Sequence, residues 1–110
     1  MKKHERIWLD QINAIIETNI DKPDFQLKDI TEHFEISQAK LYRNILKLTG
    51  LAPAKYIKKI RLEKAMQLLE VGEYSTVKET SREVGFRRPE YFAKLFYKEF
   101  KVLPSKILME

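Results

Sequence analysis

The stretch Pro53–Glu70, PAKYIKKIRLEKAMQLLE, decides how the rest of the chain is read. Pro53 suits a first helical position, because its fixed φ fits a helix and its missing N–H would have had no partner there. Leu62, Ala65, Met66 and Leu69 recur at helical spacing and Gly72 follows closely, so one long helix is predicted over 53–70. Its apolar positions do not form a single stripe. Ile57 and Ile60 head one cluster near the start, whereas Leu62, Ala65, Met66 and Leu69 form another, rotated about the axis. A helix wet on one side needs only one stripe, so the pattern predicts burial against two bodies, one at each end.

The sequence flanking this helix is a degenerate repeat. Ile30–Ser37 corresponds to Thr80–Arg87, aligning Thr31 with Ser81 and Glu35 with Gly85. After a one-residue insertion, Leu41 aligns with Phe92, Arg43 with Lys94, Ile45 with Phe96 and Pro53 with Pro104. Each copy reads as a short helix, a tight turn, a longer helix and a proline opening another helix. Two helix-turn-helix units joined by a stiff rod account for both the repeat and the divided stripe.

Composition bounds the function. The 110 residues are of one-domain size, with room for two lobes and a modest core. Lys plus Arg number 21 against 16 Asp plus Glu, and the net charge of +5 favours an anionic partner. The absence of cysteine excludes disulfides and thiolate metal sites. No apolar run approaches the ~20 residues of a membrane span and no signal-peptide core opens the chain, so the reading is a soluble, cytoplasmic protein with no membrane contact. Only 3 Gly and 4 Pro, with few alternating β-branched residues, point to an all-α fold.

Taken in order, Ile7, Trp8, Ile12, Ile15 and Ile16 fall on one helical face and predict a first helix over about 4–20, with Trp8 in the core, broken by Asp21, Lys22, Pro23 and Asp24. Leu27, Ile30 and Phe34 mark a short second helix, and Glu35 and Ile36 make a turn. Ser37 is a natural N-cap for a third helix ending near Thr49, before Gly50. With Leu41, Ile45 and Leu48 inward, the outward side centres on Ala39, Arg43 and Leu46, flanked by Tyr42 and Lys47. This mixture of small, aromatic and cationic residues suits a helix pressed into a nucleic-acid groove, with Arg for guanine and Ala or Tyr for thymine methyls.

Past the rod, Tyr74–Val77 leads into a helix through Val84, and Gly85 supplies the turn. The next helix starts at Pro89, buries Phe92, Phe96 and Phe100, and shows Glu90, Lys94, Tyr97 and Lys98 outward; Pro104 opens a last short helix. Arg87 and Arg88 stand just ahead of Pro89, where the helix dipole disfavours cations and a bound phosphate would relieve the conflict.

Ser37–Ala65 and Val84–Pro104 resemble the DNA-binding domain of the AraC/XylS family of bacterial transcription regulators. In the first copy the matching residues are Ser37, Leu41, Arg43, Thr49, Gly50, Pro53, Tyr56, Arg61, Leu62, Ala65 and Leu69. In the second they are Val84, Gly85, Phe86, Tyr91, Phe92, Phe96, Lys98, Phe100 and Pro104. Leu41–Gly50 looks especially like members that form the output domain of two-component sensor-kinase hybrids and response regulators. The resemblance implies seven helices in two helix-turn-helix lobes, residues 1–52 and 71–110, joined by a linker helix over 53–70. Its third and sixth helices are expected to enter successive major grooves. Base readers carry over to Ala39, Lys40, Tyr42 and Arg43, and to Pro89, Glu90, Tyr91 and Lys94. Arg61 matches a linker position with a structural or a DNA role. The sequence departs from the family's pattern at Glu35 and Lys101, each in place of glycine, at Arg88 in place of an Asp cap, and at Thr31, Thr80 and Ser81.

An 18-residue helix spans about 27 Å at ~1.5 Å per residue, and one duplex turn is ~34 Å. The expectation is therefore sequence-specific binding of double-stranded DNA by a monomer, over about two turns. Candidate phosphate contacts are Ser37, Lys47, Lys55, Lys58, Lys59, Arg87, Arg88 and Lys98. No cofactor or metal is expected. RNA polymerase is an expected second partner, and dimerisation is expected to reside in a missing sensory part. An enzyme is disfavoured: the chain offers only His4 and His33, no glycine-rich phosphate loop and no His-Glu-x-x-His pair. The alternative is a protein-binding adaptor that has kept the fold and lost the DNA. RNA binding is disfavoured for want of an aromatic stacking platform.

Overall fold

A computed structural model describes residues 1–110. Seven helices and no strand make up the chain: α1 Lys3–Thr18, α2 Leu27–Thr31, α3 Gln38–Thr49, α4 Pro53–Val71, α5 Val77–Glu83, α6 Pro89–Phe100 and α7 Pro104–Met109. Local chemistry sets most of these boundaries. The Ser37 hydroxyl accepts the Lys40 N–H at 3.2 Å and the Thr76 hydroxyl accepts that of Glu79 at 3.1 Å, opening α3 and α5. Pro53, Pro89 and Pro104 each occupy the first position of a helix. Gly50 closes α3 at φ 76°, in the left-handed region that a side chain resists. Lys101 performs the same task for α6 at φ 60°, although it carries a Cβ.

The chain forms two compact units. The first comprises Met1–Asn19 and Phe25–Ile60; the second comprises Ile20–Asp24 and Arg61–Glu110. In the first, Ile12, Ile16, Ile30, Leu41, Ile45 and Ile57 form the core, with Trp8, Phe34 and Ile60 packed around it. The Trp8 and Phe34 rings lie 6.3 Å apart, so the indole is a packing residue. In the second, Leu62, Ala65, Leu69, Val84, Phe86, Phe92 and Phe96 form the core. Phe86, Phe92, Phe96 and Phe100 follow one another at centroid distances of 5.2, 5.6 and 4.7 Å. The divided stripe of α4 is thereby explained: Ile57 belongs to one core, and Leu62, Ala65 and Leu69 to the other.

Several boundaries and faces differ from the expectation. Ile7 is 50% exposed, because five residues along a helix turn it about 140° from Ile12. α1 ends at Thr18, where the Asn19 side-chain amide donates to the Ile15 carbonyl and closes the last turn. α2 stops at Thr31, leaving Phe34 to pack from the turn. α5 stops at Glu83, with Val84 its C-cap, and Phe100 is only partly buried. Glu35, standing in for the usual turn glycine, adopts no left-handed backbone, so the first turn is built without the conformation that Gly85 supplies at φ 90° in the second. Thr80 and Ser81 are fully buried, their hydroxyls donating to the Thr76 and Lys78 carbonyls, which lets polar residues sit in a packed interior.

Candidate nucleic-acid interface

The outward side of α3 follows from which residues its core claims. Leu41 and Ile45 are fully buried and Leu48 is half-buried, so Ala39, Lys40, Tyr42, Arg43 and Leu46 are left exposed. Tyr42 and Leu46 are 43% and 42% exposed, a large apolar surface on a helix that also carries an exposed guanidinium. Ser37, the cap of α3, is exposed beside them, its hydroxyl engaged by Lys40. Lys47 extends into solvent with its ammonium 3.8 Å from the Glu5 carboxylate. An open groove of about 360 Å³ lies between α1 and α3, lined by His4, Glu5, Trp8, Asn44, Lys47 and Leu48. Glu5 also accepts the Lys2 backbone N–H at 2.8 Å, and that bond, ahead of its cationic neighbours, holds its carboxyl below the usual range. On α4, Lys55 and Lys59 are exposed and Lys58 is half-buried.

In the second unit, Phe92 and Phe96 point inward from α6, which leaves Glu90, Tyr91, Lys94, Tyr97 and Lys98 exposed and Pro89 half-buried. The Arg88 guanidinium lies over the Tyr91 ring, 5.6 Å from its centroid, and Phe86 meets the same ring edge-on at 6.3 Å. Arg87 instead bonds the Asp24 carboxylate at 2.8 Å. Two of the expected phosphate contacts, Lys47 and Arg87, thus have carboxylate neighbours. Neither Glu5 nor Asp24 was singled out as a pairing partner, since 42 and 63 residues of separation leave no local signal in the sequence.

Arg61 has a different role. It is buried, and its guanidinium donates to the carbonyls of Ile20, Lys22 and Val84, the last two at 2.9 and 2.8 Å. Burial lowers its pKa from the ordinary arginine value, with Asp21 acting in the opposite sense. Three carbonyl acceptors satisfy the fork, so this arginine is part of the architecture.

The chain matches the helix-turn-helix domain family over residues 30–109. It is 27% identical to the crystal structure of a probable AraC family transcriptional regulator from Rhodopseudomonas palustris, with a TM-score of 0.76 over 91% of this chain and 93% of that one. The chain belongs to the AraC/XylS family. It also superposes, at 24% identity and a TM-score of 0.79, on the DNA-binding domain of AdpA, a global transcriptional factor solved in complex with a target DNA, covering 92% of this chain and 89% of that one. Among curated proteins it is 34% identical over 92 residues to histidine kinase P4 of Formosa agariphila, covering 84% of this chain but 7% of that protein. This AraC/XylS domain thus corresponds to a small part of that relative. The chain spans only a minor part of the length of the curated relatives it matches, among them the transcriptional activator RhaS of Salmonella arizonae, 36% identical over 71% of this chain and 28% of that protein. No helix is long and apolar enough to cross a membrane.

Proposed function

We propose that this AraC/XylS domain binds double-stranded DNA sequence-specifically through two recognition helices, α3 and α6, each in a major groove, as one output step of transcription control. The observation that carries the reading is the outward side of α3, where Ala39, Tyr42 and Arg43 stand exposed together while Leu41 and Ile45 fix the opposite side in the core. A side composed for solvation alone would be richer in Glu and Lys. Arg43 offers the bidentate donor pair that fits guanine O6 and N7, and Tyr42 and Ala39 offer apolar surface for thymine methyls. The AdpA domain, alike in fold, was solved on its target DNA. On α6, Glu90, Tyr91 and Lys94 are the proposed base readers, with Lys40 joining those of α3. Ser37, Lys47, Lys55, Lys58, Lys59, Arg87, Arg88 and Lys98 are proposed to hold the phosphates. Successive grooves are consistent with α4, whose 19 residues span about 28 Å against a ~34 Å duplex turn. The similarity to a histidine kinase supports a two-component setting in which a separate part supplies the signal and any dimerisation, with RNA polymerase as the downstream partner.

Selection of bound duplexes from a random pool tests the function. A recovered consensus of about two turns is expected, and Arg43→Ala should weaken binding by ~1 to 3 kcal/mol while relaxing one base position. Equal weakening on every sequence would make Arg43 a backbone contact. Failure to recover any consensus would overturn sequence-specific binding.

A further inference from the structure

Leu46 has no assigned role, and its setting is unusual for a leucine. Single exposed aliphatic residues are common on protein surfaces, but this one shares a helix side with the proposed base readers. It lies four residues from Tyr42, three from Arg43 and seven from Ala39, all separations that return to one side of a helix. Leu41 and Ile45 already fill the core from α3, and Lys47, the other outward residue of that turn, inclines toward Glu5. Leu46 therefore presents a 42% exposed side chain in line with Arg43 and Tyr42.

Dimensions allow all four residues to address one groove. From Ala39 to Leu46 the helix advances about 10.5 Å, within the ~12 Å width of a major groove. Arg43 and Leu46 are separated by about 4.5 Å along the axis, close to one base-pair step of ~3.4 Å. The chemistry then selects the base. Thymine's 5-methyl is the apolar group that base edges present in the major groove, where the other positions offer donors or acceptors that a leucine would desolvate without replacing their hydrogen bonds.

We propose that Leu46 is a base-reading residue that, with Tyr42, packs on the 5-methyl group of a thymine next to the base pair contacted by Arg43. The inference rests on the DNA-binding function proposed above and specifies part of its sequence preference.

Deoxyuridine, which is thymidine without the methyl in question, provides the test. Thymines of the selected site are replaced one at a time, and affinity is measured by fluorescence anisotropy with the full 110-residue chain. One replacement should weaken binding about fourfold, the worth of one buried methylene-sized group. Leu46→Ala, with helix content checked by circular dichroism, should distinguish thymine from deoxyuridine less than the original chain does at that position, Tyr42 supplying what remains. Arg43→Ala should still distinguish them. A selected site indifferent to every replacement, or a Leu46→Ala protein that keeps the original discrimination, overturns the role of Leu46 and leaves DNA recognition standing. Absence of any selected site overturns both.

Discussion

The Arg61 guanidinium occupies the space that a Cβ on residue 85 would need. Gly85 is thereby required twice: its φ of 90° is one that side chains resist, and its bare Cα leaves room for the fork that donates to the Val84 and Ile20 carbonyls. Gly85→Ala should destabilise by about 2 to 4 kcal/mol, combining left-handed strain with displacement of a buried charge-assisted bond. In an Arg61→Ala background the same substitution should cost less, since the guanidinium clash is gone while the left-handed strain and the Ile20 carbonyl, 2.5 Å from the Cβ position, remain. Urea unfolding of the four proteins measures the coupling, and strictly additive losses would contradict the packing relationship.

Arg61→Lys should recover little of what Arg61→Ala loses. A lysine carries the charge, but its compact ammonium cannot reach three carbonyls arranged for a planar fork. Of the two variants, the lysine form should regain less than half of a loss of roughly 2 to 4 kcal/mol in the same unfolding experiment.

Lys101 closes α6 in the left-handed region at φ 60°, its N–H donating to the Tyr97 carbonyl at 2.7 Å. Relief of that backbone strain should make Lys101→Gly about 0.5 to 1 kcal/mol more stable, even after the greater chain entropy of unfolded glycine is subtracted. The weak Lys101 Nζ bond to the Lys98 carbonyl is exposed and offsets little of this. A lowered midpoint in thermal or urea unfolding would refute the expectation.

Acid should loosen the start of α1. The Lys2 N–H bond lowers the Glu5 pKa in the folded chain, so its stabilisation is present above the ordinary glutamate pKa and is lost as pH falls through the depressed folded value. Amide exchange or NMR titration of the first turn should show this transition, and Glu5→Gln should remove it. Because the pair is exposed, the change should be confined to the end of the helix.

Replacing both Arg87 and Arg88 with Ala should reduce the salt dependence of DNA binding, lowering the slope of log K against log salt by about 1.8. Arg87 now bonds Asp24, in an exposed pair from which a phosphate can take it at small cost. An unchanged slope would remove both residues from the phosphate-contacting set.

The sequence carried the architecture where chemistry is local. Prolines at 53, 89 and 104 open helices as their fixed φ requires, Ser37 caps α3, and the interrupted stripe of α4 reports two cores. Long-range pairing was illegible. Nothing near Arg87 marks Asp24 as its partner, and Arg61 could be read as structural only once the segment 20–24 was seen to present its carbonyls. The outward sides of α3 and α6 were readable because burial is periodic. Ile7 was misread because it lies at the margin of the apolar arc, where a single wheel does not separate core from rim.

The residues between α1 and α2 have a bearing on protein engineering. Ile20–Asp24 belongs to the second unit although the chain on both sides belongs to the first. A gene cut between Ile60 and Arg61 would therefore strand a buried guanidinium without two of its three acceptors. A minimal binder made from the second unit would need the five residues 20–24 grafted onto it.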